Sequence, residues 1–487
     1  MIFNYQQFIA LLPVFILAFI IVIMMVSIGI KRNHRINATI AIIGLSLVLF
    51  SLYFIAKVGV VDLPPLLRVD RPSTFYASLV ILVSLLTCLF AYPWLSSIQE
   101  NREEFYLLLM ISTLGGVVLA SANHFAALFL SMELMSLPLC GLIGYVFKSH
   151  CSSLEAAFKY TILSAIASAF FLFGTALLYA NTGTLDFSEL GNTIHSSQIV
   201  QPLLIAGFCL ILVSFCFKLS LVPFHLWTPD VYQGSASPVG MFLASASKIA
   251  VFGAFMRLLI CASIKNIPGI GAVLSVIAVA SMLLGNLMAL RQNNIKRVLG
   301  YSSIAHFGYI LIICIAMQDT KQLLEAVAIC IVSYLFSSVG AFGILSLMKM
   351  VIVNQDTDLI GSYRGLFWKH PLLAVLITVN MLSLAGMPMT IGFISKFYLL
   401  SLGISSHLWS LSGALILGSS IGVYYYLRII IILYLPPRNF MDYHPLAYSW
   451  VSTPRGIVVC FLAACSFVLG VYPQPMIELA QFVVLNA

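Results

Sequence analysis

The chain has 487 residues, of which 61% are hydrophobic and only 8% are charged. Soluble domains carry roughly a quarter charged residues, so this composition excludes a soluble globular protein and predicts a polytopic membrane protein. The formal net charge of +8 does not indicate a nucleic-acid partner, because basic residues in the loops of a membrane protein set its orientation.

Long apolar segments, taken in chain order, predict the fold class. A transmembrane helix needs about 20 apolar residues, and these segments lack the two-residue alternation of barrel strands. The first apolar run, 9–30, is too long for a cleavable signal peptide. The sequence therefore predicts an all-α polytopic protein with about 14 transmembrane helices. Their predicted ranges are 8–30, 37–57, 74–97, 105–121, 124–147, 155–181, 201–223, 237–263, 268–290, 298–317, 322–350, 370–402, 407–434 and 455–480.

The loops between these spans differ in positive charge. The basic clusters "KRNHR" (31–35) and "RQNNIKR" (291–297) fall on the same side of the membrane if odd-numbered spans end there. Positive loops stay in the cytoplasm, so this asymmetry places both termini outside it. In a bacterium that location is the periplasmic side of the inner membrane.

Two spans contain helix-breaking residues. The seventh meets Pro223 and then the polar stretch "HLWTPDVYQG", and the twelfth contains "AGMPMTIGF" at 385–393. Prolines kink many membrane helices, which is the plainer explanation of each one alone. As a pair five spans apart, they favour two inverted five-helix repeats, the pattern of many transporters. The predicted division is 1–104, 105–263 and 268–434 for the N-terminal segment and the repeats, followed by a C-terminal helix in 435–487.

Ten cysteines are scattered along the chain without a CxxC pair. They predict neither a disulfide framework nor a metal or iron–sulfur site. No Walker A loop or GxGxxG motif occurs in a strand-to-helix context, so no nucleotide site is predicted. The chain is thus expected to hold no cofactor of its own and to depend on another ion or on partner subunits for energy.

Four charged residues lie deep inside predicted spans, namely Glu133, Lys218, Lys248 and Lys396. Each charge at mid-bilayer costs roughly 2.5–3.5 kcal/mol on insertion scales, so intramembrane charges usually serve a function. Burial disfavours a charged lysine and a nearby carboxylate favours it. A change in the separation of Glu133 and Lys218 would therefore release or retain a proton. The alternative is a static ion pair, which leaves Lys248 and Lys396 without acidic partners.

Further polar residues between these charges suggest a proton relay. The candidates are Lys159, His225, His306 and Tyr424, and serines accompany them at helical spacing on the sixth, tenth and eleventh spans. Histidine titrates nearest neutral pH, which makes His306 the strongest of the four. Hydrogen bonding between helices is the commoner role for each such residue taken alone.

Several motifs resemble the antiporter-like membrane subunits of respiratory complex I, the NADH:quinone oxidoreductase. They are "KLSLVPFHLWTPDVYQGSASPVGMFLASASKIAVFG" (218–253), "ALFLSMELMSLPL" around Glu133, "NIKRVLGYSSIAHFGYIL" and "LSLAGMPMTIGFISKFYLL". The resemblance covers essentially the whole chain. Within the family, "EFYLLLMISTLGGVVLASANHFAALFLSMEL" and "YRGLFWKHP" are similar to the bacterial subunit N branch.

This resemblance implies a proton channel formed by Glu133, Lys218, Lys248 and Lys396, with Lys159 and His306 as lesser members. It also implies a fold of fourteen helices with two inverted repeats. The expected partners are other antiporter-like subunits and small membrane subunits, together with lipids. FMN, iron–sulfur clusters and quinone would belong to the partner subunits, so the chain would be part of a translocase without a redox site. Two alternatives stay open: a subunit of a related sodium/proton antiporter complex, and a structural scaffold that transports nothing.

Overall fold

A computed structural model of the protein describes residues 5–98, 102–145, 151–196, 202–262, 267, 269–316, 320–348, 358–437 and 450–484. Nearly all of these residues are helical, which confirms the predicted all-α fold. Thirteen helices in this part of the chain are long and apolar enough to cross a membrane. Two shorter apolar helices, Pro371–Ala385 and Ile391–Ser405, together occupy the predicted twelfth span.

The helices follow the apolar runs because a spanning helix satisfies all its backbone hydrogen bonds internally. In chain order the elements are α1 Tyr5–Ile30, α2 His34–Val58, β1 Val61–Leu63, β2 Leu67–Val69, α3 Arg71–Ser96, α4 Glu104–Ser121, α5 Phe125–Ile143, α6 Cys151–Thr182, α7 Phe187–Ser196, α8 Pro202–Leu219, α9 Trp227–Gly234, α10 Ser237–Phe242, α11 Lys248–Cys261, α12 Ile270–Leu290, α13 Ile295–Ala316, α14 Thr320–Met348, α15 Leu366–Lys369, α16 Pro371–Ala385, α17 Ile391–Ser405, α18 Trp409–Tyr434, α19 Pro454–Val471 and α20 Gln474–Val484.

The chain forms two compact units. The first comprises Met1–Leu219, Ala246–Val273 and Val483–Ala487. In this unit α5 packs on α4, α6 packs on both α5 and α8, and α11 packs on α3, α4 and α8. The α4–α5 contact is close, because a Cβ on Gly115 would lie 2.5 Å from the backbone nitrogen of Met135. This packing sets α5, α6 and α8 side by side.

The second unit comprises Ser220–Ser245 and Leu274–Phe482. Here α13 packs on α9, α14 and α17, and α14 also packs on α10, α16, α17 and α19. The two short helices α16 and α17 contact each other as well as α18 and α19. The ends of α16 and α17 are therefore enclosed by full-length helices.

Both predicted interruptions of spans are confirmed. The helix α8 ends at Leu219, and Ser220 follows with a positive φ of 63°. The helix α16 ends at Ala385, where Gly386 takes the left-handed conformation with φ 76°. Glycine adopts this conformation without the steric cost that a side chain brings. The five-helix repeats and the four-segment division of the chain remain predictions.

Three elements differ from the sequence-based expectation. The predicted fourteenth span is two helices, α19 and α20, because Pro473 has no N–H to continue the hydrogen-bond ladder. A small antiparallel hairpin, β1–β2, joins α2 to α3, and its strands are too short to give a periodic signal. The amphipathic α7 lies in a region predicted as a loop. Parts of the predicted loops 351–369 and 435–454 lie outside the described residues.

Candidate functional site

The first unit brings Glu133 and Lys218 together through two serines of α6. Lys218, in the last turn of α8, is buried, and its Nζ donates a 2.8 Å hydrogen bond to Oγ of Ser164. The hydroxyl of Ser168, one turn further along α6, donates a short hydrogen bond to Oε1 of Glu133. Among the described residues, no direct ion pair joins Glu133 to Lys218. The two charges are therefore connected through hydroxyl groups on a third helix.

Lys248 is fully buried in the first unit, with 0% of its surface exposed. It is the first residue of α11 and directly follows a π-helical turn, Leu243–Ser247. Such turns are rare and often occur at functional sites. Small residues surround it in the sequence "ASASKIA", and a Cβ on Gly116 of α4 would lie 3.7 Å from the Cβ of Ala250. The small side chains let α11 approach α4 closely around this lysine.

Lys396 lies at the break of the twelfth span in the second unit. Its Nζ donates a 2.6 Å hydrogen bond to the carbonyl of Ala385. It also lies 5.6 Å from the ring centre of Tyr309. The last carbonyls of a helix have no partner within the helix and carry partial negative charge. No acidic side chain of the described residues pairs with Lys396, and the interrupted span supplies a backbone acceptor for it instead.

A small, partly polar cavity lies beside the head of Lys396. His306 and Tyr309 of α13 line it, together with serines of three other helices. Ser337 and Ser383 are hydrogen bonded at 2.7 Å. Ser333 donates to Ser395 at 3.3 Å. The structure thus brings His306 and Lys396 to one cavity whose wall is rich in hydroxyl groups.

The other sequence-predicted relay residues lie in different surroundings. Lys159 is half-exposed and pairs with Glu155, one turn earlier on α6, at 2.6 Å. His225 is buried in the turn after α8, and its Nδ1 has no hydrogen-bond partner among the described residues.

The expectation for Tyr424 is corrected. Its side chain is 65% exposed on α18, so it does not face the interior. The next two residues, Tyr425 and Tyr426, are buried instead. Tyr425 donates a 3.1 Å hydrogen bond to Oδ1 of Asn286. The run "VYYYLR" contains three tyrosines, and only the packing of α18 decides which of them point inward.

Sequence reasoning missed several polar residues of the interior. Ser383 and Ser395 belong to the cavity, and their positions beside Gly386 and Lys396 in the interrupted span were the available signal. Lys296, which was assigned to a basic loop cluster, is only 2% exposed and pairs with Asp358 at 2.9 Å. Its depth could not be read from the sequence, since "RQNNIKR" has the composition of a surface loop.

A sequence model of the family described as "NADH:quinone oxidoreductase/Mrp antiporter, TM" matches residues 122–422, more than half of the chain. The chain belongs to this family. The matched region includes Glu133, Lys218, Lys248 and Lys396, as well as both interrupted spans. The predicted resemblance to antiporter-like membrane subunits is thereby confirmed.

Three solved structures resemble the chain over nearly its whole length. A chain of respiratory complex I from Thermus thermophilus with bound Aureothin is 31% identical, with TM-score 0.80, covering 96% of this chain and 98% of that one. A chain of MBS, the membrane-bound sulfane sulfur reductase and an archaeal respiratory membrane complex, is 22% identical, with TM-score 0.83 and coverage of 99% and 97%. A chain of the Mrp complex from Dietzia sp. is 17% identical, with TM-score 0.85 and coverage of 99% and 97%.

The match to the complex I chain supports the family assignment. The matches to the MBS and Mrp chains show the fold alone. The chain is a multi-pass membrane protein of the family that includes membrane subunits of NADH:quinone oxidoreductase and of the Mrp antiporter.

Proposed function

We propose that the chain is a proton-translocating membrane subunit of an NADH:quinone oxidoreductase, equivalent to bacterial subunit N. One observation carries the proposal: a lysine stands at each interrupted span, buried Lys218 in the last turn of α8 and half-buried Lys396 on the carbonyl that ends α16. Amines at interrupted membrane helices lie where backbone groups are free to bind water and ions.

In this proposal Glu133, Lys218, Lys248 and Lys396 carry the proton. Glu133 and Lys218 act as a charge couple, and His306 joins Lys396 in the second unit. Lys159 and His225 are lesser candidates. Electron transfer from NADH to quinone, with FMN and iron–sulfur clusters, belongs to partner subunits. The chain would lie in the bacterial inner membrane with both termini on the periplasmic side and with other antiporter-like and small membrane subunits as neighbours.

A subunit of a sodium/proton antiporter complex is the second candidate, because the family includes Mrp antiporters. A dehydrated sodium ion prefers several oxygen ligands. The four charges predicted deep inside the spans, Glu133, Lys218, Lys248 and Lys396, are three amines and one carboxylate, a set that suits protons better. Transport that depends on sodium in the complex would reverse this preference.

Alanine at Lys218 or at Lys248 tests the proposal in membranes that carry the assembled complex. We expect normal assembly with a large loss of NADH-driven quinone reduction and of proton pumping. Lys57→Ala is the control, because Lys57 is exposed at the end of α2 and stacks over Tyr53. A purely structural subunit would keep pumping in all three variants, which would refute the proposal.

A further inference from the structure

The link between Glu133 and Lys218 is indirect and passes through α6. Among the described residues, Ser164 is the only hydrogen-bond partner of Lys218. Ser168 is likewise the only partner of Glu133. The two serines are one helical turn apart, so their side chains share a face of α6. Both charged groups therefore rest on two serines of one face of α6.

The hydroxyl of Ser168 has two acceptors and a single proton. It can donate to Oε1 of Glu133, and it also lies 3.0 Å from the backbone carbonyl of Ser164. A hydrogen bond to an ionised carboxylate is roughly twice as strong as one between neutral groups. Ionised Glu133 therefore draws the hydroxyl towards itself, whereas protonated Glu133 lets it return to the helix carbonyl.

Ser164 is the hydrogen-bond acceptor of Lys218. Its Oγ accepts from the ammonium, which leaves its own O–H proton available for donation. The buried lysine would otherwise lack a partner among the described residues, and an unpaired buried charge is costly. A small buried hydroxyl thus holds the amine at a defined place on α6.

We propose that Ser164 and Ser168 are positioning residues for the Glu133–Lys218 couple. Ser168 orients the carboxylate according to its charge, and Ser164 fixes the amine one turn away on the same helix. The state of Glu133 is then communicated to Lys218 through α6 without direct contact of the two charges. This inference rests on the proposed function, since it assigns roles within the same proton path.

The test compares Ser168→Thr with Ser168→Val. The two new side chains have nearly the same shape and differ in the hydroxyl group, and half-buried Ser168 leaves room for the added methyl group. Ser164 is buried, so Ser164→Ala, which only removes atoms, is the matching change there. Thr175→Val is the control, because that hydroxyl on α6 bonds only to its own helix at Leu172.

The measurements are the amount of assembled complex, NADH-driven quinone reduction and proton pumping in native membranes. We expect Ser168→Val and Ser164→Ala to lower coupled turnover about tenfold, the order expected for one hydrogen bond to a charged group. Ser168→Thr and Thr175→Val should stay within about twofold of the unchanged protein, because each keeps the hydroxyl groups that touch the couple.

The outcomes separate this inference from the proposed function. If Lys218→Ala abolishes pumping while Ser168→Val equals Ser168→Thr and Ser164→Ala is normal, the serines have no positioning role. If Lys218→Ala and Glu133→Ala both pump normally, the proton path itself is wrong, and the inference falls with it. If the complex with Ser168→Val does not assemble, Ser164→Ala, which changes the side chain less, provides the test. Normal turnover of the Ser164→Ala variant then overturns the inference.

Discussion

The ammonium of Lys396 is hydrogen bonded to the carbonyl of Ala385, 2.6 Å away, at the C-terminal end of α16. This end of a helix carries partial negative charge, and a cation there is stabilised by the helix dipole. The interaction takes the place of a carboxylate. It explains how a chain with one acidic residue deep inside its predicted spans can hold a lysine at the second interruption. The position of the lysine then depends on the backbone of the break.

Gly386 makes this contact possible. A Cβ at this position would lie 2.6 Å from Cδ and 2.9 Å from Nζ of Lys396. We therefore expect Gly386→Ala to push the amine away from Ala385 and to lower proton pumping several-fold. The measurement is pumping per NADH oxidised in native membranes.

Gly59→Ala is the matched control, since Gly59 also has a positive φ, 88°, but no atom near the added methyl group. Both variants place an alanine at a positive φ, which strains the backbone in each. Only Gly386→Ala displaces the lysine. Equal pumping by the two variants would show that the contact between Lys396 and Ala385 has no part in transport.

The buried amide of Asn286 supports a second prediction. Its Oδ1 accepts from Tyr425, and its Nδ2 donates to the hydroxyl of Tyr309 at 2.8 Å. Tyr425→Phe leaves the buried amide oxygen without this donor, at a cost of about 1–3 kcal/mol. We expect lower thermal stability of the purified complex, measured by its inactivation on heating. Tyr424→Phe, on the exposed neighbour, should have no effect. A larger effect at Tyr424 would mean that the inward face of α18 is assigned wrongly.

The ion pair between Asp70 and Arg257 supports a third prediction. Both side chains are largely buried, with 14% and 8% exposed, and Asp70 also accepts from the backbone N–H of Ser73 at the start of α3. Asp70→Ala leaves the arginine without its counter-ion and removes the helix cap, so we expect a loss of about 3–5 kcal/mol. The amount of assembled complex and its resistance to heating measure this loss.

Asp62→Ala is the control for that change. Asp62 of β1 pairs with Arg68 of β2 at 3.5 Å, in the hairpin that directly precedes Asp70. The side chain of Asp62 is 69% exposed. Exposed ion pairs contribute about 0–1 kcal/mol, so this variant should assemble normally. Comparable losses in the two variants would contradict the assignment of Asp70–Arg257 as a structural anchor of the first unit.

Much of the fold could be predicted because the bilayer limits what the backbone can do. Apolar runs of sufficient length must be helices, and the two interrupted spans were evident from Pro223 and from the glycines around Pro388. The predicted last span, 455–480, missed the division at Pro473, since prolines in a membrane helix can either kink it or end it. The hairpin β1–β2 was missed because three-residue strands have no period to detect.

The sequence predicted which charged residues form the candidate site, but it did not predict which groups they contact. Glu133 and the three lysines were distinguishable because a charge inside a span is costly and therefore rare. The sequence does not say that Ser164 and Ser168 stand between Glu133 and Lys218. It also does not say that the acceptor for Lys396 is a backbone carbonyl, because every residue has one.

The sequence by itself determined the membrane class, the approximate spans and the identity of the buried charges, because each follows from the energy of placing a residue in hydrocarbon. Only the tertiary structure decided which hydroxyl meets which charge, which tyrosine of α18 faces inward and which loop lysine is buried at Asp358. Those choices depend on the rotation and depth of helices against their neighbours, and hydrophobicity along one chain does not encode either.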